Sequence, residues 1–418
     1  MKFITIFIIV LFSTMLSKAQ QSSFSLAQCI DLTLKNSYIV KSAETLTKSA
    51  KQKVKESLTD YYPLIYGEFS HDQLFYSHGN YAQQHVSAIF DWSLGSLISK
   101  TALAVAKEVD ILKQRTKQTA LEAVRRTTDI YLGILKNRQE ERLIQERLRI
   151  IRKHLQVVDA LWQGGIRTEF DVLQTKTAIN MLQEQKEHLK MQTEVLASAL
   201  AKLMNLSDDT QFSLWDFPKS IINLTPDFSP HNIAHNPAVQ ALGLQAERQL
   251  FNINAVNASN LPHIKALTGY FFDADPYAEG NYWQAGIGLS LPLYRWGKTG
   301  YQKQRLRIAS LALKYKNQQL KRDLSIQQRQ IKKRIENLKN IYKIQEQREE
   351  LSQRAVDIAT VNYQAGLITN LEYLNAEKMN IIAQIALNET RLAYVRQIIE
   401  NHLIGNQIEK IKQLQDTP

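Results

Sequence analysis

The chain has 418 residues, with 52 Lys and Arg against 40 Asp and Glu, so its formal net charge at pH 7 is +12. The single Cys excludes a disulfide scaffold and a multi-thiolate metal or iron–sulfur site. The low content of Gly (15) and Pro (9), together with abundant Gln, Lys, Leu, Ile and Ala, predicts a mainly α-helical protein.

The N-terminus has the pattern of a secretory signal. Lys2 precedes a short apolar run, and the small residues Ser17 and Ala19 stand at the positions that a signal peptidase reads. The run is shorter than the roughly 20 residues that a membrane-spanning helix needs. Residues 1–19 are therefore predicted to be a signal peptide rather than a membrane anchor. No later apolar stretch is long enough for a spanning helix, so any part embedded in a membrane would consist of β-strands.

The mature chain is predicted to be a duplicated unit, because landmarks recur in the same order at an offset of about 200 residues. The matched pairs are Asn36 and Asn236, Pro63 and Pro262, Trp92 and Trp296, and Gly165 and Gly366. The boundaries that follow are residues 20–205 for the first repeat, 206–230 for a linker, 231–405 for the second repeat and 406–418 for a C-terminal tail.

Each repeat has the same predicted plan, which is a first helix, two β-strands and a long helical hairpin. The first helices are predicted at residues 25–60 and 231–259, because each ends before a proline. The strands are predicted at about 64–73 and 83–94 in the first repeat, and at about 263–272 and 282–293 in the second. The helical hairpins are predicted at residues 98–205 and 297–405.

The predicted strands have one apolar face and one polar or small face, with a period of two. The apolar face of the last strand holds Ala285, Ile287, Leu289, Leu291 and Leu293, and that of the earlier hairpin holds Val86, Ala88, Phe90 and Trp92. The opposite face of the last strand holds Gln284, Gly286, Gly288 and Ser290. We expect the apolar face to meet lipid and the polar face to line a lumen.

Four strands of this length cannot close a membrane barrel, because every strand edge in lipid must be paired and about eight strands are the practical minimum. Three chains would supply twelve strands. The predicted fold class is therefore mainly α with a small transmembrane β part, in a duplicated helix, β-hairpin and coiled-coil hairpin unit. The predicted assembly is a trimer with a 12-stranded β-barrel and an α-helical barrel.

The helical hairpins are predicted to turn at glycines. Gly164, Gly165 and Gly366 follow long stretches with coiled-coil spacing, and glycine readily takes the positive φ that ends a helix. Thr168 and Thr369 are the candidate N-caps of the returning helices. These residues form the predicted hairpin tips.

Three segments together resemble the TolC-type outer membrane efflux proteins, also called outer membrane factors. They are the run Phe24–Asn36, the run Leu291–Lys298, and the run Tyr363–Gly366 followed by Leu371 and Leu374. The resemblance spans nearly the whole mature chain, including its duplication. It implies a homotrimeric channel in the outer membrane of a Gram-negative bacterium, extending into the periplasm. It also implies an exit duct of a tripartite efflux or type I secretion system, joined by a periplasmic adaptor (membrane fusion) protein to an inner-membrane pump of RND or ABC type.

The resemblance implies passive conduction with a gate at the periplasmic tip, held in the family by tyrosine, arginine and aspartate contacts. Tyr363 and Asp171 stand at the tyrosine and aspartate positions. Ile368 stands at the arginine position, which leaves the charged latch in question, and Arg167 of the other repeat is the candidate substitute. The ordinary alternative is that Tyr363 packs near a helix end.

The resemblance also carries over two acidic ring positions below the tip. They fall on Glu372 and Asn375, so one charge is kept and one is lost, and a cation-binding constriction should be weaker here. The alternative is that Asp171 and Glu372 only favour the positive N-terminal ends of their helices.

Two other classes of function stay open beside the channel. A periplasmic coiled-coil adaptor or scaffold would have long helical hairpins, but it would not need an alternating strand pair at the same place in both repeats. An enzyme is disfavoured, because no catalytic arrangement of residues and no cofactor motif stands out. The basic excess suggests no nucleic-acid partner in an exported protein, and the histidines lack the spacing of a metal site.

Overall fold

The computed structural model describes residues 22–77, 79–99, 101–207, 212–229, 231–272 and 280–416. The predicted signal peptide, residues 1–19, lies outside these ranges. Within them, no helix combines the length and the hydropathy needed to cross a membrane.

The chain alternates short helices and strands with very long helices. The helices are α1 (Leu26–Asn36), α2 (Tyr38–Thr59), α3 (Thr101–Gln163), α4 (Glu169–Met204), α5 (His231–Ala234), α6 (Pro237–Ala258), α7 (Lys298–Gln364), α8 (Asn370–Ile404) and α9 (Ile408–Lys412). The strands are β1 (Ser22–Phe24), β2 (Leu64–Tyr76), β3 (Gly79–Ser93), β4 (Phe212–Leu214), β5 (His263–Phe272) and β6 (Tyr282–Ser290).

The single first helix predicted for each repeat is wrong, because both are interrupted. Ser37 takes an extended conformation between α1 and α2, and Pro237 begins α6 after a break that follows α5. A residue before proline disfavours the helical region, which accounts for the second break. At both breaks an asparagine side chain binds the end of a returning helix: Asn36 donates to the Met204 carbonyl and Asn236 to the Ile404 carbonyl, each at 3.1 Å. The duplicated bond supports the duplicated fold.

The long strands form one antiparallel sheet in the order β2, β3, β5, β6, so strands of the two repeats pair through β3 and β5. β2 and β3 reach closer to their turn than predicted, since Tyr76 pairs with Gly79. β6 ends at Ser290 rather than near residue 293, and Pro292 just beyond it has no N–H to donate to a ladder. Within one chain, β2 and β6 are the outer strands of the sheet.

The register separates an apolar face of the sheet from a polar face, as the alternation predicted. Paired residues across the sheet point to the same face. One apolar row is Ile65, Phe90, Ala266 and Ile287, and one polar row is Glu68, Ser87, Gly269 and Gln284. The apolar face is open to solvent in the single chain, since Ile287 is 84% exposed and Leu289 is 68% exposed.

The chain divides into two compact units that cut across the two repeats. One unit holds Thr119–Asn236, the chain from Asp323 onward and the described residues up to Lys41. The other unit holds Ser42–Gln118 and Pro237–Arg322, and therefore contains the four-stranded sheet. Each unit combines segments of both repeats, so neither repeat is a compact body by itself.

The segment predicted as a linker forms part of the core of the first unit. β4 pairs in parallel with β1, and Phe217 and Ile221 are buried. The Tyr131 hydroxyl donates to the Trp215 carbonyl at 2.6 Å. In the predicted C-terminal tail, Gln415 accepts from the Leu26 backbone N–H at 2.6 Å, which ties the chain end to the start of α1. The described parts of the linker and of the tail are therefore packed segments rather than solvated connections.

Arg391 of α8 fastens the linker to the core. Its guanidinium donates to the Phe217 carbonyl at 2.5 Å and to the Asp216 carboxylate at 2.8 Å. We expect Arg391→Leu to lower the free energy of unfolding by about 1–3 kcal/mol, because it leaves a buried carbonyl unpaired. The matched control is Arg396→Leu on the same helix, which removes an exposed ion pair to Asp129 and should cost less than about 1 kcal/mol. Thermal unfolding in detergent measures both, and equal losses would contradict this role for Arg391.

Candidate functional site at the helical hairpin tips

The two hairpin tips have the same backbone geometry. Gly165 and Gly366 both have φ of 74°, in the left-handed region that glycine favours, as predicted. After each glycine the next N–H closes the end of the helix: Ile166 donates to the Leu161 carbonyl and Leu367 to the Asn362 carbonyl, each at 2.9 Å. Gly164 also lies in the first tip, but it does not take a positive φ.

The returning helices α4 and α8 both begin with a capping box, which confirms Thr168 and Thr369 as N-caps. The Asp171 carboxylate accepts from the Thr168 backbone N–H at 3.2 Å, and the Glu372 carboxylate accepts from the Thr369 N–H at 2.7 Å. These hydrogen bonds from Thr369 lower the pKa of the Glu372 carboxyl. Both acids therefore have a local structural role at the tips.

Tyr363 is buried at the end of α7, with an exposed fraction of 2%. The Arg167 guanidinium lies over the Tyr363 ring, 4.8 Å from its centroid, and donates to the Ile368 carbonyl at 3.0 Å. Arg167 of the first repeat therefore lies beside Ile368, the position at which the family has an arginine. Burial raises the pKa of the Tyr363 hydroxyl, and the Asp171 charge adds to that effect while Arg167 opposes it.

Not every predicted gate residue joins this contact. The Asp171 carboxylate bonds to Thr168 instead of Tyr363, and the Tyr363 hydroxyl has no hydrogen-bond partner among the described residues of the chain. Glu372 and Asn375 lie on the exposed side of α8. The structure therefore brings together Tyr363 and Arg167 and leaves the two ring positions open to solvent.

A buried polar cluster lies behind the tips, and it is centred on Asn370, the first residue of α8. Asn370 has no exposed surface. Its side-chain nitrogen lies 3.0 Å from the Asp171 carbonyl and 3.1 Å from the Thr175 hydroxyl. Its side-chain oxygen lies 2.8 Å from Nε2 of His154. The cluster therefore joins α3, α4 and α8.

Aromatic and charged groups extend the cluster along α8. The His154 ring stacks on Tyr373, with 4.0 Å between centroids, and meets Tyr363 edge-on at 4.7 Å. The Tyr373 hydroxyl donates to the Glu377 carboxylate at 3.1 Å, and Glu377 forms a buried ion pair with Arg147. Burial lowers the pKa of Arg147 to about 9, which leaves the guanidinium charged at neutral pH.

Sequence reasoning missed this cluster, although a signal was present. Arg147 and His154 are seven residues apart on α3, on or beside the coiled-coil stripe formed by Leu148, Ile151 and Leu155. A charged or polar residue that repeats at heptad spacing beside an apolar stripe indicates a pair buried at the helix contact. Among the described residues, no three His, Cys, Asp or Glu side chains converge as metal ligands.

Residues 230–403 match the profile of the family described as outer membrane efflux protein. In this region the chain is similar to the outer membrane efflux proteins. The match covers the second repeat up to the end of α8, and it confirms the resemblance that the sequence showed. Curated proteins gave no significant sequence match.

Several solved structures share the fold of this chain over nearly its whole length. The CmeC outer membrane channel of Campylobacter jejuni has a TM-score of 0.76 and 14% identity, covering 94% of this chain and 90% of that chain. VceC, an outer membrane protein of Vibrio cholerae, has a TM-score of 0.76 and 16% identity, with coverages of 91% and 96%. MtrE of Neisseria gonorrhoeae, an outer membrane channel in its open state, has a TM-score of 0.72 and 15% identity, with coverages of 91% and 88%. The predicted fold class, mainly α with a small β part, is confirmed.

The buried cluster predicts that replacing two asparagines of α8 has very different effects on the free energy of unfolding. Asn370→Ala should lower the free energy of unfolding by about 1–3 kcal/mol, because it leaves the buried Nε2 of His154 without its hydrogen-bond partner. Asn375→Ala, at an exposed position one turn further along, should change it by no more than about 0.5 kcal/mol. Thermal unfolding of both variants measures the difference. A loss of the same size in both would show that the cluster adds nothing to stability.

Proposed function

We propose that three copies of the chain form the exit duct of a tripartite efflux or type I secretion system in the outer membrane of a Gram-negative bacterium. Cargo passes through the duct by passive conduction, without catalysis by the chain. A periplasmic adaptor protein joins the duct to an inner-membrane pump of RND or ABC type. The family assignment and the shared fold of several outer membrane channels support this function.

The observation that carries the proposal is the sheet with one exposed apolar face. In lipid each backbone N–H and C=O must be paired, so the outer strands β2 and β6 require partners from other chains. Three sheets of four strands give a closed barrel of twelve, with the row through Ile65 and Ile287 toward lipid and the row through Glu68 and Gln284 toward the lumen. Aromatic side chains flank the apolar row, with Tyr270 packed on Trp283 near one end of the sheet.

A periplasmic adaptor or scaffold is a weaker alternative. Its coiled-coil hairpins would work in water, where an open face containing Phe69, Ile287 and Leu289 is a liability. The family match in the second repeat also favours the channel.

The hairpin tips are the proposed gate of the duct. Tyr363 with Arg167 supplies a packed contact between the two repeats, and Asp171 lies close enough to act on Tyr363 electrostatically. Glu372 and Asn375 occupy exposed positions below it, where each trimer would carry one ring of charge rather than two. We therefore expect a weak preference for cations at the closed tip.

The gate hypothesis predicts a change in conductance. The double variant Tyr363→Phe with Asp171→Asn removes a hydroxyl and a charge but keeps side-chain volume. If the Tyr363 hydroxyl and the Asp171 charge together stabilise the closed tips by about 1 kcal/mol, the ratio of open to closed channels should rise about fivefold per protomer. Single-channel recording in a planar bilayer measures this ratio as the fraction of time that the channel is open. The control is Tyr342→Phe, at a second buried tyrosine of α7, which should leave conductance unchanged.

Two other results would separate the duct from its gate. If the trimer conducts and the double variant behaves like the wild type, the duct is supported and these residues are not its gate. A monomer that never enters the bilayer rejects the duct and favours the adaptor.

If the apolar face of β6 meets lipid, a lysine should destabilise the assembled protein on that face and be tolerated on the polar face. Ile287→Lys places a charge on the apolar face and should cost about 2–4 kcal/mol of membrane stability if it lies near the middle of the bilayer. Gln284→Lys, on the polar face of the same strand, should be tolerated. The fraction of protein that assembles in lipid vesicles measures both, and equal defects would exclude a lipid-facing apolar row.

A further inference from the structure

His154 lies at the point where four helices meet behind the hairpin tips. It belongs to α3 and is 7% exposed. It contacts Asn370 and Tyr373 of α8 and Tyr363 of α7, and through Asn370 it reaches Thr175 of α4. Any separation of the α7–α8 tip from α3 must therefore break the contacts of this one side chain.

The hydrogen bonds of Asn370 determine which protonation state of His154 fits the packed tip. Its side-chain nitrogen donates to the Asp171 carbonyl and to Thr175, so its oxygen is the atom that faces His154. That oxygen can only accept, so Nε2 of His154 carries the hydrogen and donates it. The neutral imidazole satisfies this arrangement with Nδ1 deprotonated.

A protonated imidazole would lack a counter-charge in the same site. Among the described groups that face it, the Glu377 carboxylate is bound by Arg147 and Tyr373, and the Asp171 carboxylate is bound by Thr168. The other neighbours are Tyr363 and Tyr373, both with a raised pKa because of burial, and the positive group Arg147. Arg167 lies over the Tyr363 ring and adds a further positive charge beyond it. A second positive charge would therefore be buried among neutral rings, close to Arg147.

We propose that His154 is a proton-binding site that opens the periplasmic tip in acid. Protonation at Nδ1 creates a charge that only water can solvate, and water reaches the ring when the α7–α8 tip moves away from α3. Proton binding and tip opening are then linked in both directions. This inference rests on the proposed duct function, because it assigns a stimulus to the same gate.

The direction of the pH effect follows from the two states. Burial and Arg147 lower the pKa of His154 in the packed tip, and the bond to Asn370 opposes them only in part. In an open, hydrated tip the pKa returns to its ordinary value of about 6.5. The packed tip is therefore favoured above this value and loses its advantage as the pH falls below it. Each pH unit between the two pKa values changes the open-to-closed ratio by up to about tenfold per protomer.

The test is single-channel conductance of the wild-type trimer in a planar bilayer at pH 7.5 and pH 5.5. We expect conductance to rise at pH 5.5. His154→Gln, which keeps an uncharged donor for Asn370, should remove the rise. The matched control is His188→Gln, at an exposed histidine of α4 beside Glu184, which should keep it.

A second variant tests the same site by another route. Asn370→Asp places a carboxylate against Nε2, so the imidazolium gains a counter-charge in the packed tip and the acid response should shift to lower pH or disappear. This variant also decides the matter if His154→Gln fails to assemble.

Each remaining outcome has one meaning. A wild-type channel with no acid response, or an acid response that survives both His154→Gln and Asn370→Asp, overturns the inference and leaves the duct intact. A wild-type protein that conducts at neither pH overturns the proposed function itself.

Discussion

The structure depends on the pairing of β3 with β5, because this ladder joins the two repeats in one sheet. Each repeat contributes a hairpin, and two strands alone are marginal in stability. The register of this ladder places Val86 against Tyr270 and Phe90 against Ala266, so the apolar residues of both hairpins fall on one face. A slip of one residue would turn half of them to the other face. The continuous apolar face, and with it the case for a lipid-embedded barrel, follows from this register.

The duplication is visible in the backbone of the two hairpin tips as well as in the sheet. Gly165 and Gly366 have the same positive φ, and Thr168 and Thr369 form the same capping box. The two tips differ in the residues that meet behind them. Asn370 enters a buried polar cluster, whereas its counterpart Glu169 is exposed. The second tip is therefore held to the first repeat by directional hydrogen bonds.

The polar cluster behind the tips exchanges some stability for specificity. An apolar core of equal volume would pack at least as well as the buried Arg147–Glu377 pair, because charges lose their hydration on burial. The bonds from Asn370 to His154 and to the Asp171 carbonyl are satisfied in only one alignment of α8 against α3 and α4. Such a cluster selects one packed arrangement of these helices.

The sequence by itself determined the duplication, the strand faces, the glycine turns and the N-caps, because each depends on neighbours within a few residues or on a repeated pattern. It also indicated the family. It did not determine the break at Ser37, the packing of the linker against Arg391, or the meeting of Arg167 with Tyr363. Asn370 and His154 are 216 positions apart, and local pattern says nothing about which distant side chain fills a polar gap. Only the tertiary structure decided these contacts, because the folded chain must satisfy every buried polar group with whatever partner its topology brings near.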